Sequence, residues 1–198
     1  MHKLKTKDIV MAALLTALYL ILYLASGMAT MVVGPFGHAI SPGICGLLAG
    51  SIFFFMSRKI GKFGQFMIMQ AICMVIFSCM GAGYLPWVVT SMIGALIADL
   101  IASRESSPAV WKVAVASGIF HVGQAFGSII PSMFFMESYR DEWISRGQTP
   151  EAMDEMIKYT SGTMGILSTV IVFVLAVAGV IIGYAILNKH FERKQIAA

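Results

Sequence analysis

Long apolar runs, broken only by short charged clusters, leave this chain few ways to fold. Six such runs stand out, at about Ile9 to Val33, Ala39 to Met56, Phe63 to Met80, Tyr84 to Ala102, Ala109 to Phe135 and Gly162 to Leu187. Each is near the ~20 residues that a helix needs to cross a hydrocarbon core about 30 Å thick. A water-exposed helix of that length would carry charge along one whole face, and these runs do not. The chain is 58% hydrophobic and only 12% charged over its 198 residues, so lipid is the expected solvent for most of its surface. The expected fold class is therefore an all-α integral membrane protein, with residues 1–198 forming a single transmembrane domain of six helices. The first run follows a basic lead-in, Met1 to Asp8. It is too long for a signal-peptide core and has no small-residue cleavage site at its end, so it is expected to be retained.

Orientation follows from the basic residues, which cytoplasmic loops retain. With six spans and the N-terminus inside, Lys3, Lys5, Lys7, Arg58, Lys59, Lys62, Arg104, Lys112, Lys189, Arg193 and Lys194 fall on the cytoplasmic side, eleven of the fourteen. Only Arg140, Arg146 and Lys158 fall outside. Six of the ten acidic residues (Glu137, Asp141, Glu142, Glu151, Asp154, Glu155) sit beside them in the segment Met136 to Ser161. Both termini are thus expected in the cytoplasm and the chain in the cell membrane, crossing it several times. The formal net charge of +4 then reflects topology and contact with anionic lipid, and a nucleic-acid partner is not expected.

The external connections are unequal. Gly34-Pro-Phe-Gly-His38 and Gly81-Ala-Gly83 read as short uncharged loops. Residues 136–161 form a long amphipathic one, in which Tyr139, Trp143, Met153, Met156 and Tyr159 alternate with charge, as suits an interfacial helix or a lid.

Polar side chains inside a bilayer need partners or a purpose. Ser117, His121, Gln124 and Ser128 are spaced four, three and four apart, which stacks them on one face of the fifth helix. For His121 and Gln124 two readings stay open: hydrogen bonds between helices, or the lining of a binding cavity. Tyr84, Trp87, Ser91, Gly94 and Ala98 share a face of the fourth helix in the same way. Gly46/Gly50, Gly123/Gly127 and Gly179/Gly183 have the small-xxx-small spacing that lets helix backbones approach. Asp99, near the cytoplasmic end of its span, is expected to have a structural partner. Cys45, Cys73 and Cys79 lie in apolar runs and read as small packing residues.

Catalytic signatures are missing from the sequence. None of His2, His38, His121 or His190 has a carboxylate at metal-ligand spacing, and neither G-x-S-x-G nor a Walker A sequence occurs. The chain is therefore not expected to be an enzyme, to hold a metal directly or to carry a resident cofactor. A stand-alone channel or facilitator, and a small membrane enzyme acting on lipid-like substrates, remain as alternatives.

Lys3-Leu-Lys-Thr-Lys-Asp8 followed by Ala13-Leu-Leu-Thr-Ala17 resembles the start of the S components of energy-coupling factor (ECF) transporters. The length, six spans, internal ends and long fifth loop are similar too, and the resemblance is narrowest to S components of the MptD or Trep_Strep type. It implies a substrate-capture subunit that binds a micronutrient at the extracellular side. A transmembrane T component and two cytoplasmic ATPase subunits would then drive uptake. It also implies that Ala13 and Ala17 dock the T component, and that the pocket draws on the outer halves of the later spans and the external loops. Those regions offer His38, Tyr84, Trp87, His121, Gln124, Trp143 and Tyr159 as substrate-binding candidates. Met28, Met31, Met133, Met136 and Met164 lie at similar depth. This inventory has no buried Arg or Lys to hold an anion. It admits two ligand classes: a tetrapyrrole such as heme, with His38 and His121 as possible iron ligands, or another vitamin-like compound.

Overall fold

The computed structural model describes residues 3–105 and 107–196, with side chains through residue 189. His2, His190 and the side chains of Arg193 and Lys194 therefore lie outside the described residues. The elements are all helices: α1 (Thr6–Met31), α2 (Pro35–Lys59), α3 (Gln65–Cys79), α4 (Leu85–Ala102), α5 (Val110–Phe134), α6 (Met136–Ser145), α7 (Pro150–Thr160) and α8 (Gly162–Ile196). Five of them, α1, α2, α4, α5 and α8, are long and apolar enough to cross a membrane. The third apolar run forms a shorter helix, α3, of 15 residues. The last helix runs past Leu187 to Ile196.

Six helices close into a ring, in which α1 meets α3, α3 meets α4, α4 meets α5, α5 meets α8, α8 meets α2, and α2 returns to α1. A further contact between α2 and α5 crosses its centre. In their most apolar stretches α2 and α5 are 61% and 67% buried against 28% for α1 and α8, so α2 and α5 form the core and the others present flanks to lipid. The wide polar-to-small faces of α2 and α5 suit that place. A chain of rings fills the middle: Phe53 stacks on Phe66 at 5.3 Å and meets Phe120 edge-on at 5.0 Å.

Small residues make the close crossings. A Cβ on Gly183 would stand 2.5 Å from Ser51 N and 2.6 Å from Ser51 Cα, so α2 and α8 touch backbone to backbone. Gly94 and Gly123 face each other across α4 and α5, where an added Cβ would meet the other's Cα at 2.8–2.9 Å. The paired glycines read from the sequence are thus packing residues. Cys45 and Cys73 pack in the core as well, whereas Cys79 is exposed and corrects that expectation. It sits in the last turn of α3, on the side turned away from the ring.

Charge ties the basic end together. Lys62 Nζ pairs with Asp8 at 2.5 Å, joining the start of α1 to the α2–α3 turn. Gly64, at φ +98°, offers α3 no side-chain cap. Asp99 of α4 supplies it instead: its carboxylate oxygens accept from Phe66 N at 3.2 Å and Met67 N at 3.0 Å, and from Ser103 Oγ at 2.8 Å.

At the opposite end Met136 to Ser161 is not a loop but the helical hairpin α6–α7. Gly147, at φ +100°, turns the chain, and Thr149 then caps α7 by accepting from Ala152 N at 3.2 Å. Tyr139, Met153 and Ile157 bury themselves in its interior, joined by Tyr84, Trp143 and Ile144. The segment Gly34 to His38 is likewise mostly helix, because Pro35 at the first position starts α2 early. His38 accordingly sits in the first turn of α2, and not in a loop.

Candidate functional site

Beneath the α6–α7 hairpin lies a cavity of about 210 Å³. Six aromatic residues wall it: Tyr23 from α1, Phe77 from α3, Tyr84 and Trp87 from the start of α4, and Tyr139 and Trp143 from α6. His38, Ser41, Gln124 and Ser128 add polar groups, and no lining residue is acidic, Lys or Arg. Trp87 reaches its place because Gly127 has no side chain: a Cβ there would stand 2.6 Å from Trp87 Cβ.

Two helix-interior prolines border the same space. Pro42 of α2 and Pro131 of α5 have no N–H, so the carbonyls of His38 and Gly127, four residues earlier, lose their helical donors. Both carbonyls belong to residues that line the cavity.

The roof is held from outside by one cation. Arg146 donates to Gly83 O at 3.0 Å and to Glu142 Oε1 at 2.8 Å, and its guanidinium lies 5.4 Å from the Trp143 ring centre and 5.9 Å from that of Tyr84. This pins the end of α6 to the α3–α4 turn. Within the hairpin Arg140 pairs with Asp154 at 2.6 Å. That pairing holds the Asp154 carboxyl below its usual range and Arg140 above its own. Burial pushes the Tyr139 phenol up, so it stays a neutral hydrogen-bonding group.

Of the seven residues read as substrate-binding, the structure brings His38, Tyr84, Trp87, Gln124 and Trp143 to one cavity. Tyr159 is not among the lining residues; its ring lies 5.7 Å from Phe36 and helps seat α7 on α2. His121 lies deeper, fully buried. Its Nδ1 is 2.8 Å from Ser117 O and its Nε2 is 3.3 Å from Tyr19 Oη, so both nitrogens are engaged inside the bundle. His121 thus bonds between helices, whereas Gln124 both bonds between helices and borders the cavity. Met28, Met31, Met133 and Met136 are exposed and are not among the residues lining this cavity. Sequence reasoning missed Tyr23, Phe77 and Ser41.

The Trep_Strep family model, for a hypothetical bacterial integral membrane protein, matches residues 6–193. The chain belongs to the Trep_Strep family. It is accordingly a multi-pass membrane protein, and no curated protein and no solved structure matches it. The match spans α1 to α7 and all but the last three residues of α8 in this Trep_Strep protein, including the α6–α7 hairpin and the cavity that it covers.

In this Trep_Strep chain Ala13 and Ala17 face outward, one turn apart on α1, while Ala12, Thr16 and Tyr19 face the bundle. The two alanines are small positions on an outward face that also carries Leu14 and Leu18.

Proposed function

We propose that this protein is the substrate-capture (S) component of an ECF-type ABC importer, crossing the bilayer six times with both ends in the cytoplasm. The observation that carries the reading is the covered cavity: a site at one end of the bundle, roofed by α6–α7 and floored by packed side chains. Below Gln124 the space is filled by Tyr19, His121, Phe53, Phe66 and Phe120, whose ring centres lie 5.0–6.3 Å apart. A channel needs an aqueous path there, and the filled bundle favours capture followed by movement driven from outside the chain. The energy would come from a transmembrane T component and two ATPase subunits. The split of basic residues puts the cavity end outside, and α3 counts as the sixth span.

Ala13 and Ala17 support the docking part of the reading. Because both are exposed, bulk there leaves the fold alone but blocks close approach by another helix. The captured molecule is a micronutrient. Between the two ligand classes, the cavity volume and the engagement of His121 favour a vitamin-like compound over a tetrapyrrole held by two imidazoles.

Co-purification tests the proposal. Ala13→Trp or Ala17→Trp should abolish recovery of the T component and ATP-dependent uptake, while the small molecule that native mass spectrometry finds on the purified protein stays bound. Unchanged recovery of the T component in both variants would refute the docking face, and uptake into liposomes by the purified chain alone would refute the S-component reading.

A further inference from the structure

The hydrogen-bond order beneath the cavity fixes what Gln124 shows to a ligand. The chain of bonds starts at Ser117 O, a carbonyl that can only accept. His121 Nδ1, 2.8 Å away, must therefore carry the proton, and in the neutral ring Nε2 is then an acceptor. Tyr19 Oη lies 3.3 Å from both Nε2 and Gln124 Oε1 and has one proton; His121 is sealed in the bundle, whereas Gln124 borders the cavity, where an occupant can supply a donor, so the proton belongs to Nε2. The same oxygen accepts from Gln124 Nε2 at 3.0 Å, and the second amide proton goes to Gln70 Oε1 at 2.9 Å. Tyr19 Oη also lies 3.3 Å from Gln124 Oε1, but it has no proton left to donate.

Both amide protons of Gln124 are thus committed to the bundle, and its carbonyl oxygen is left without a donor in a residue that lines the cavity. A reversed amide would bring Gln124 Oε1 to 3.0 Å from Tyr19 Oη, whose proton is committed to His121, and to 2.9 Å from Gln70 Oε1, two oxygen–oxygen contacts with no proton between them. The tautomer therefore decides the orientation. The His38 and Gly127 carbonyls, which lose their helical donors to Pro42 and Pro131, belong to residues of the same lining.

Size and charge narrow the occupant further. A dry apolar cavity of about 150 Å³ holds benzene, so about 210 Å³ holds one or two fused rings. Six aromatic walls suit a flat face, and the absence of any cationic lining residue disfavours a carboxylate or phosphate. We propose that the cavity takes a flat, uncharged compound of one or two rings that donates a hydrogen bond from N–H or O–H to Gln124 Oε1. Gln124 is the specificity-determining residue, and Tyr19 and His121 are positioning residues that hold its amide. The proposal rests on the cavity being the capture site, but needs neither the T component nor ATP.

Indole and 1-methylindole test it on the purified protein in lipid nanodiscs. They share one ring system and differ in the N–H. By calorimetry, indole should bind saturably at one per protein, and 1-methylindole about tenfold more weakly, since it leaves a buried acceptor unpaired. Gln124→Met should bring the two affinities within about twofold. Tyr19→Phe should also erase the preference while leaving 1-methylindole binding unchanged, whereas a merely structural role for Tyr19 would weaken both alike. Absence of saturable indole binding overturns the proposal, as do equal affinities in the unaltered protein or a preference that survives Gln124→Met. Hemin that binds at one per protein and displaces indole would overturn the size limit. None of these results depends on co-purification of a T component, so the failure of this inference and the failure of the S-component reading can be told apart.

Discussion

Gly183→Ala places one methyl group at the backbone seam between α2 and α8. The new Cβ would stand 2.5 Å from Ser51 N, 2.6 Å from Ser51 Cα and 2.9 Å from Gly50 C. Carbon atoms rest comfortably at about 3.5–4.0 Å, so the helices must part locally by about 1 Å, and no side-chain rotation can relieve it. A gap of that size forfeits roughly a quarter to a half of the attraction between the atoms along the seam. Overpacking of this kind costs about 1–3 kcal/mol, and backbone against backbone belongs at the upper end. Alanine recovers roughly 0.5–1 kcal/mol of helix preference over glycine, leaving a net loss of about 2 kcal/mol. At ~2–4 °C per kcal/mol for a chain of this size, the thermal midpoint should fall by about 4–8 °C. Gly27→Ala is the control, because nothing lies within 4 Å of its added Cβ. There only the helix preference acts, and the midpoint should rise by about 1–4 °C. Size-exclusion thermostability in one detergent measures both. If Gly183→Ala melts with the unaltered protein while Gly27→Ala rises, the two helices do not meet backbone to backbone at this seam.

Two further outcomes follow from the polar contacts. Asp99→Ala strips the acceptors from Phe66 N, Met67 N and Ser103 and should destabilise by about 1–3 kcal/mol, with increased hydrogen exchange in the first turn of α3; exchange raised everywhere except α3 would contradict it. The Arg140–Asp154 pair contributes stability above the ordinary Asp value of 3.8, because the folded carboxyl titrates lower, and loses it as the pH falls through the folded value. Hydrogen exchange of α6–α7, corrected for intrinsic rate, should therefore rise below about pH 3.8 in the unaltered protein and show no such step in Arg140→Gln.

The helices were readable because apolar length and charge placement are local properties, and Pro35 even marks the early start of α2 for a reader who weighs it as a first-turn residue. The face shared by Ser117, His121, Gln124 and Ser128 was readable from spacing alone. Which of them touches the cavity was not, since Tyr19, contributed by a helix about a hundred positions earlier, decides that His121 is covered. Tyr23 lay within reach, one turn above Tyr19 on the buried face of α1. Phe77 carried no distinguishing mark among the apolar residues of α3. The methionines and Cys79 misled for a related reason: lipid is as apolar as a core, so hydrophobicity cannot say which of the two a side chain faces. In the α6–α7 hairpin, alternating aromatics and charges announced a cap, and only packing revealed that Tyr139 and Trp143 turn inward while Tyr159 anchors the hem.

The shortness of α3 has a mechanical meaning. At 1.5 Å per residue its 15 residues reach roughly 22 Å, against a hydrocarbon thickness of about 30 Å. If α3 spans, acyl chains beside it must compress or the protein must lean, at fractions of a kcal/mol for each ångström of mismatch. That elastic load falls on one flank only, since α1, α2, α5 and α8 are each long enough to match the bilayer. A one-sided load is a torque. Thicker membranes would increase it and thinner ones relieve it, which makes the leaning of this protein in the bilayer a function of lipid chain length.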